Sequence, residues 1–161
     1  MRARAVVTDG KGGYGVEDVE VGDPQAGEVQ VEIRACGVCH TDHKFLFRGF
    51  AQILGHEGAG VVRAAGPGVA RVKAGDRVLL NWAIPCGACF QCRRGAENIC
   101  EASPRVPDER FLLGGRPLPT AFGLGTMSTL TVVPEAAVVR MDVDIPFPSA
   151  AILGCGVMTG V

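Results

Sequence analysis

The sequence predicts a compact, mainly β fold: a barrel of short strands with helical trimmings. Three observations carry this. Apolar residues alternate with polar ones over short runs, as they do on strands buried on one face. The 23 glycines and 10 prolines are spread along all 161 residues, which suits many tight turns and not a linker. Helical periodicity is scarce. With 47% hydrophobic residues the chain can bury a core as one domain.

Taken in order, Arg4 to Thr8 reads as a first strand. Val29 to Ala35 is a second, with Val29, Val31 and Ile33 opposed to Gln30, Glu32 and Arg34. Gly60 to Ala65 and Arg77 to Trp82 follow, separated by Gly66, Pro67, Gly68, Gly75 and Asp76. Leu130 to Val133 and Ala137 to Met141 are late strands broken at Pro134. Thr41 to Phe47 reads as one or two helical turns, and Ser149 to Leu153 as the start of a helix after Pro148. Gly10, Gly12 and Gly15 satisfy G-x-G-x-x-G after a strand. A dinucleotide site would need a helix to begin there. Val16, Val19, Val21 and Pro24 follow instead, so the glycines read as a hairpin turn.

Several functions are disfavoured by composition. The formal net charge is -1, with no basic run, so no nucleic-acid partner and no acidic membrane surface is expected. No apolar run could span a bilayer, and Met1 to Gly10 lacks the apolar core of a secretory signal. Seven cysteines are an odd number for a disulfide scaffold. The expected location is the reducing cytoplasm.

Cys86, Cys89, Cys92 and Cys100 form C-x2-C-x2-C-x7-C in a turn-rich stretch with Pro85, Gly87 and Gly95. Four thiolates at this spacing suit a closed structural zinc site. An iron–sulfur cluster is the rival, but bacterial ferredoxins continue x3-C-P, whereas here seven residues intervene and Glu101 follows. Nucleic-acid zinc modules are another rival, with only Arg93 and Arg94 as local positive charge. Cys39, His56 and Cys155 are dispersed, each near glycine. Together they read as an open Cys2His zinc site with a position left for water or substrate. Singly, each could be plain core. Asp42 and Glu57 add carboxylates of the kind that steady metal ligands. Cys36 has no assigned role, and buried core is the expectation.

Gly55-His56-Glu57, with Gly60, Gly66 and Val69, fits G-H-E-x2-G-x5-G-x2-V. With Cys39-His40-Thr41-Asp42, the four-cysteine lobe, Gly75-Asp76-Arg77-Val78 and the run Gly154 to Gly160, the chain resembles the zinc-dependent medium-chain alcohol dehydrogenases. The resemblance covers the whole chain, with some leaning towards the thiol-adduct formaldehyde dehydrogenase branch. It implies a GroES-like catalytic barrel over residues 1–161, a structural-zinc lobe at 82–104, and a connection to a cofactor domain beginning at 148–161. It also implies that Cys39, His56 and Cys155 hold catalytic zinc, that Asp42 and Glu57 tune it, and that Thr41 passes on the alcohol proton. His40 and Thr159 would meet NAD or NADP, and Trp82 would line the substrate pocket. The implied reaction is oxidation of a small alcohol or thiol hemiacetal to the carbonyl compound, in a homo-oligomeric complete enzyme.

Three departures are visible. Lys44 occupies the place of a relay histidine, with His43 one residue early. The stretch between Cys39 and His56 is short, with Ala51 and Gln52 where proline is common. The chain stops at Val161, where the family's Rossmann domain would begin. The expectation is therefore a chain inactive by itself, with apolar surface that promotes association. A non-catalytic zinc-binding barrel or truncated gene product is the alternative, and a zinc-free quinone-reductase-like member a weaker one.

Overall fold

A computed structural model describes residues 1–161. Ten strands form two antiparallel five-stranded sheets. The first sheet contains β1 (Arg2–Thr8), β2 (Tyr14–Val21), β4 (Gln52–Ile53), β7 (Phe111–Leu113) and β8 (Arg116–Pro117), in the order β4-β1-β2-β7-β8. The second contains β3 (Glu28–Gly37), β5 (Glu57–Ala65), β6 (Arg77–Leu80), β9 (Leu130–Pro134) and β10 (Val138–Arg140), in the order β10-β6-β5-β3-β9. No parallel doubly wound sheet is present. Single bridges tie the first sheet to the segment before β9, from Ala5 to Ser128 and from Ile53 to Thr120.

Side-chain alternation sets the core. Ala3, Ala5 and Val7 of β1 point inward with Val19, Val21 and Phe111. Val29 and Val31 of β3 pack with Val62, Val78 and Leu80. The glycine-rich segment after β1 is a hairpin, with Thr8 paired to Tyr14, as its turn chemistry predicts. Arg110 donates two hydrogen bonds to Glu28, at 2.7 and 3.0 Å, and ties the start of β3 to the segment before β7.

The barrel expected from the sequence is built from these two sheets. The strands β4, β7 and β8 have no counterpart in the sequence reading, because two or three residues are too few to show a period. The strand predicted from Arg77 to Trp82 ends at Leu80, because Asn81 turns the chain through hydrogen bonds to Ala83. The helices are α1 (His40–Phe45), α2 (Phe90–Arg93), α3 (Phe147–Ala151) and α4 (Gly156–Gly160). None is long and apolar enough to cross a membrane.

Candidate metal centres and active site

Cys86, Cys89, Cys92 and Cys100 present sulfur atoms that all lie within 4.8 Å of one another. The Cys86–Cys92 and Cys89–Cys100 separations are each 4.0 Å. That is far beyond a disulfide bond of about 2.05 Å. It is close to the edge of a zinc tetrahedron, about 3.8 Å for Zn–S bonds of about 2.3 Å. The local sequence explains the geometry. Cys89 caps α2, and its sulfur accepts from the Cys92 amide. The Cys86 sulfur accepts from the Ala88 and Cys89 amides, and the Cys100 sulfur from those of Cys86 and Ser103. Amides aimed at sulfur favour thiolate. With the Ser103 amide the largest influence, the Cys100 thiol falls to about 6. Burial pushes the Cys92 thiol up to about 12, so this thiol needs a cation to ionise at neutral pH.

The dispersed residues also converge. Cys39 precedes α1, His56 and Glu57 lie where the chain enters β5, and Cys155 precedes α4. Their ligand atoms lie within 4.8 Å of one another, with the two sulfurs 4.0 Å apart. Asp42 holds the arrangement. One of its oxygens accepts from the Cys39 amide at 2.9 Å. The other receives the Gly55 amide and faces His56 Nδ1, each at 3.2 Å. His56 is thereby oriented with Nε2 free to bind a metal. Its pKa is raised: burial pulls it down, and the Asp42 carboxylate more than offsets that.

The electrostatics call for a cation here. Burial pushes the Cys155 thiol up to about 12, with Cys39 adding to the rise. The Cys39 thiol is lowered, because hydrogen bonds from the Thr41 backbone and hydroxyl outweigh its burial. Glu57 is buried, forms no ion pair, and fits only because residue 37 is glycine; a Cβ there would collide with Glu57 Oε2. A buried carboxylate beside two thiols and an imidazole is an unfavourable group of atoms unless a metal ion joins them.

The remaining site residues sit around this cluster. Thr41 is in the first turn of α1. His40 is exposed and stacks on His43, with ring centroids 5.8 Å apart. Thr159 is exposed on α4. Trp82 is half-buried. Its ring lies 5.1 Å from Phe122, which in turn lies 4.9 Å from His56 and 5.2 Å from Phe45. Phe122 is the residue that sequence reasoning missed. It has φ of 53°, a conformation unusual for a bulky side chain, and it occupies the centre of an aromatic wall beside the metal cluster. Cys36 is half-buried, with its sulfur 3.1 Å from Thr126 Oγ1.

Comparison with known proteins agrees with this architecture. Residues 25–143 match the model of the alcohol dehydrogenase GroES-like domain. S-(hydroxymethyl)glutathione dehydrogenase of Paracoccus denitrificans is 42% identical, over all of this chain and 47% of its own length. Alcohol dehydrogenase class-3 of Cereibacter sphaeroides is 43% identical with the same coverage. The chain therefore spans about half the length of the curated relatives it matches. Among solved structures, an alcohol dehydrogenase zinc-binding domain protein from Burkholderia ambifaria superposes with a TM-score of 0.91 at 28% identity, covering 99% of this chain and 47% of that one. Benzyl alcohol dehydrogenase from Acinetobacter calcoaceticus gives 0.86 at 29% identity, covering 99% and 46%. With its GroES-like architecture and two clusters of metal-binding side chains, the chain belongs to the zinc-dependent alcohol dehydrogenase family.

Proposed function

We propose that this chain is the metal-binding catalytic domain of an NAD- or NADP-linked alcohol dehydrogenase. Its substrate class is a small alcohol or thiol hemiacetal, oxidised to the carbonyl compound. The observation that carries the reading is the convergence of Cys39, His56 and Cys155, with Glu57, from three distant segments. Such convergence needs the whole fold, and it brings together sulfur, nitrogen and carboxylate donors where the other cluster offers four sulfurs. The four-cysteine cluster is read as structural, within a lobe at residues 82–104.

Bound at these sites, zinc would supply Lewis acidity to an alcohol oxygen, and NAD or NADP would supply the hydride acceptor. The protein's part is positional. Cys39, His56 and Cys155 hold the ion, Asp42 fixes the histidine tautomer, and Glu57 adjusts the local charge. The Thr41 hydroxyl, beside Cys39, takes the alcohol proton towards solvent. Trp82 and Phe122 wall the pocket and exclude water. His40 and Thr159 face the cofactor. The location is read as the cytoplasm, with a homo-oligomeric assembly and without nucleic-acid or membrane partners.

The test is zinc per chain on protein purified without added metal. Two zinc ions are expected, falling to one in His56→Ala. A single zinc ion untouched by His56→Ala would overturn the catalytic reading.

A further inference from the structure

The Cys155 sulfur reaches the dispersed cluster by a different route from Cys39 and His56. Those two are tied together through Asp42. Asp42 makes no hydrogen bond to Cys155 or to the segment before it. That segment, residues 141–154, leaves β10 and carries α3 across the second sheet, over Ala35 of β3, Ala59 of β5 and Leu79 of β6.

The strand β6 grips the segment at both of its own ends. At Arg77, its first residue, the backbone carbonyl accepts the Met141 amide at 2.9 Å. The Arg77 guanidinium donates to the Asp144 carboxylate and to the Ile145 carbonyl. It also lies 4.7 Å from the centre of the Phe147 ring. At Leu80, its last residue, the carbonyl oxygen stands where a Cβ on residue 154 would be, so only glycine lets the chain come this close. Between these anchors Ala150 and Ala151 are buried against Ala59. Alanine against alanine lets α3 lie close to the sheet, but it offers little shape to stop the helix sliding. Directional bonds must fix its place, and Arg77 supplies them. The Asp144 contact adds little, because that side chain is 94% exposed. The hold comes from the Ile145 carbonyl and the face of Phe147.

We infer that Arg77 is a positioning residue for Cys155. By fixing Ile145 and Phe147 it sets where α3 rests on the sheet, and hence where the Cys155 sulfur stands, 4.0 Å from that of Cys39. The cluster is assembled from two halves held separately, one by Asp42 and one by Arg77. The bearing on metal binding rests on the dehydrogenase reading, in which Cys155 is a ligand; the hold on the segment does not.

The experiment compares Arg77→Met, Arg77→Lys and Asp144→Ala with the unaltered chain, each purified with the zinc it carries. Hydrogen exchange read by mass spectrometry should be at least about tenfold faster across residues 145–155 in Arg77→Met, and unchanged in the paired parts of β3 and β5. Asp144→Ala should match the unaltered chain. In chelator competition, Arg77→Met should hold zinc at the Cys39 cluster about tenfold more weakly and at the four-cysteine cluster as before. With cobalt in place of zinc, the thiolate-to-cobalt charge-transfer band of the Cys39 cluster should weaken in Arg77→Met, because one sulfur has moved. Arg77→Lys keeps the charge without the fork and should fall between the two. Unchanged exchange in Arg77→Met would overturn the proposal. So would equal weakening of both zinc sites, which marks general destabilisation. An effect of Asp144→Ala as large as that of Arg77→Met would overturn the assignment of the hold to Ile145 and Phe147. Cys155→Ser is read separately. If it leaves both zinc ions bound as tightly as before, the catalytic reading falls, and exchange across residues 145–155 alone decides the role of Arg77.

Discussion

Asp42→Asn tests how the dispersed cluster is organised. The two carboxylate oxygens serve three groups: the Cys39 amide at 2.9 Å, and the Gly55 amide and His56 Nδ1 at 3.2 Å each. Asparagine keeps the shape and removes one acceptor. Whichever way the amide turns, its NH2 group faces at least one N–H that needs an oxygen. A buried donor left without its partner costs about 1–3 kcal/mol. For a chain of this length, about 2–4 °C per kcal/mol converts that to a melting-point drop of about 2–12 °C. Metal affinity should fall more selectively. Loss of a carboxylate that orients a ligand histidine weakens binding about 10–100-fold, or about 1.4–2.8 kcal/mol. The assay is chelator competition on the fully loaded chain, with the two zinc ions resolved by affinity. Only one should weaken, because no atom of the four-cysteine cluster contacts Asp42. Unchanged affinity at both sites, or equal weakening at both, would refute the reasoning.

Three further substitutions or reagents probe other parts of the argument. Cys92→Ser removes a sulfur from the four-cysteine cluster; elemental analysis should show one zinc ion instead of two, and retention of two would contradict a four-thiolate site. Cys36 should react slowly with a neutral maleimide, because burial raises its thiol from the ordinary 9.0 to about 11. Two pH units mean about a hundredfold less thiolate than an ordinary cysteine at pH 8, with labelling about tenfold faster per pH unit below 11. Because the folded value lies above the unfolded one, its contribution to stability is intact below pH 9 and is lost as pH rises towards 11. Rapid labelling of Cys36 at pH 7.5 in the zinc-loaded chain would contradict its burial. Gly60→Ala places a methyl group into the Glu32 carbonyl oxygen where β3 and β5 pair. The two strands must move apart, so a loss on the order of 3 kcal/mol is expected in urea unfolding, and an unchanged midpoint would show that the sheet yields freely.

How much of this was legible in the sequence follows from the range of each interaction. The alternation in Val29, Val31 and Ile33 comes from one strand facing one core, and a short window contains it. The predicted strand ends at Ala35 while β3 runs to Gly37, because the last pairs, Cys36 with Gly58 and Gly37 with Glu57, depend on a partner strand. The short strands β7 and β8 are stabilised by pairing with each other and with β2, so their few residues show no period of their own. Rejecting a nucleotide site at Gly10 to Gly15 required only the next ten residues, since the strand pattern beyond that turn leaves no helix to cradle a phosphate.

The same distinction separates the ligands from the pocket. Cysteine and histidine announce themselves because few other side chains bind zinc, so Cys39, His56 and Cys155 could be proposed as partners from opposite ends of the chain. Phe122 carries no such chemical label. Phenylalanine is ordinary core material, and its place against His56, Trp82 and Phe45 depends on a positive φ and on three other segments arriving together. Arg48 and Arg105 likewise carry no assignment from the sequence. Only the fold shows that one is clasped by aromatic rings, that neither has an acidic partner, and that both border a buried amide with nothing to bond. Reaction type is carried by rare residues that can be recognised singly, whereas substrate choice is carried by common residues whose meaning comes from their neighbours. On the proposed dehydrogenase reading, the choice of substrate is therefore to be sought in the aromatic wall at Phe122 and not in the metal ligands.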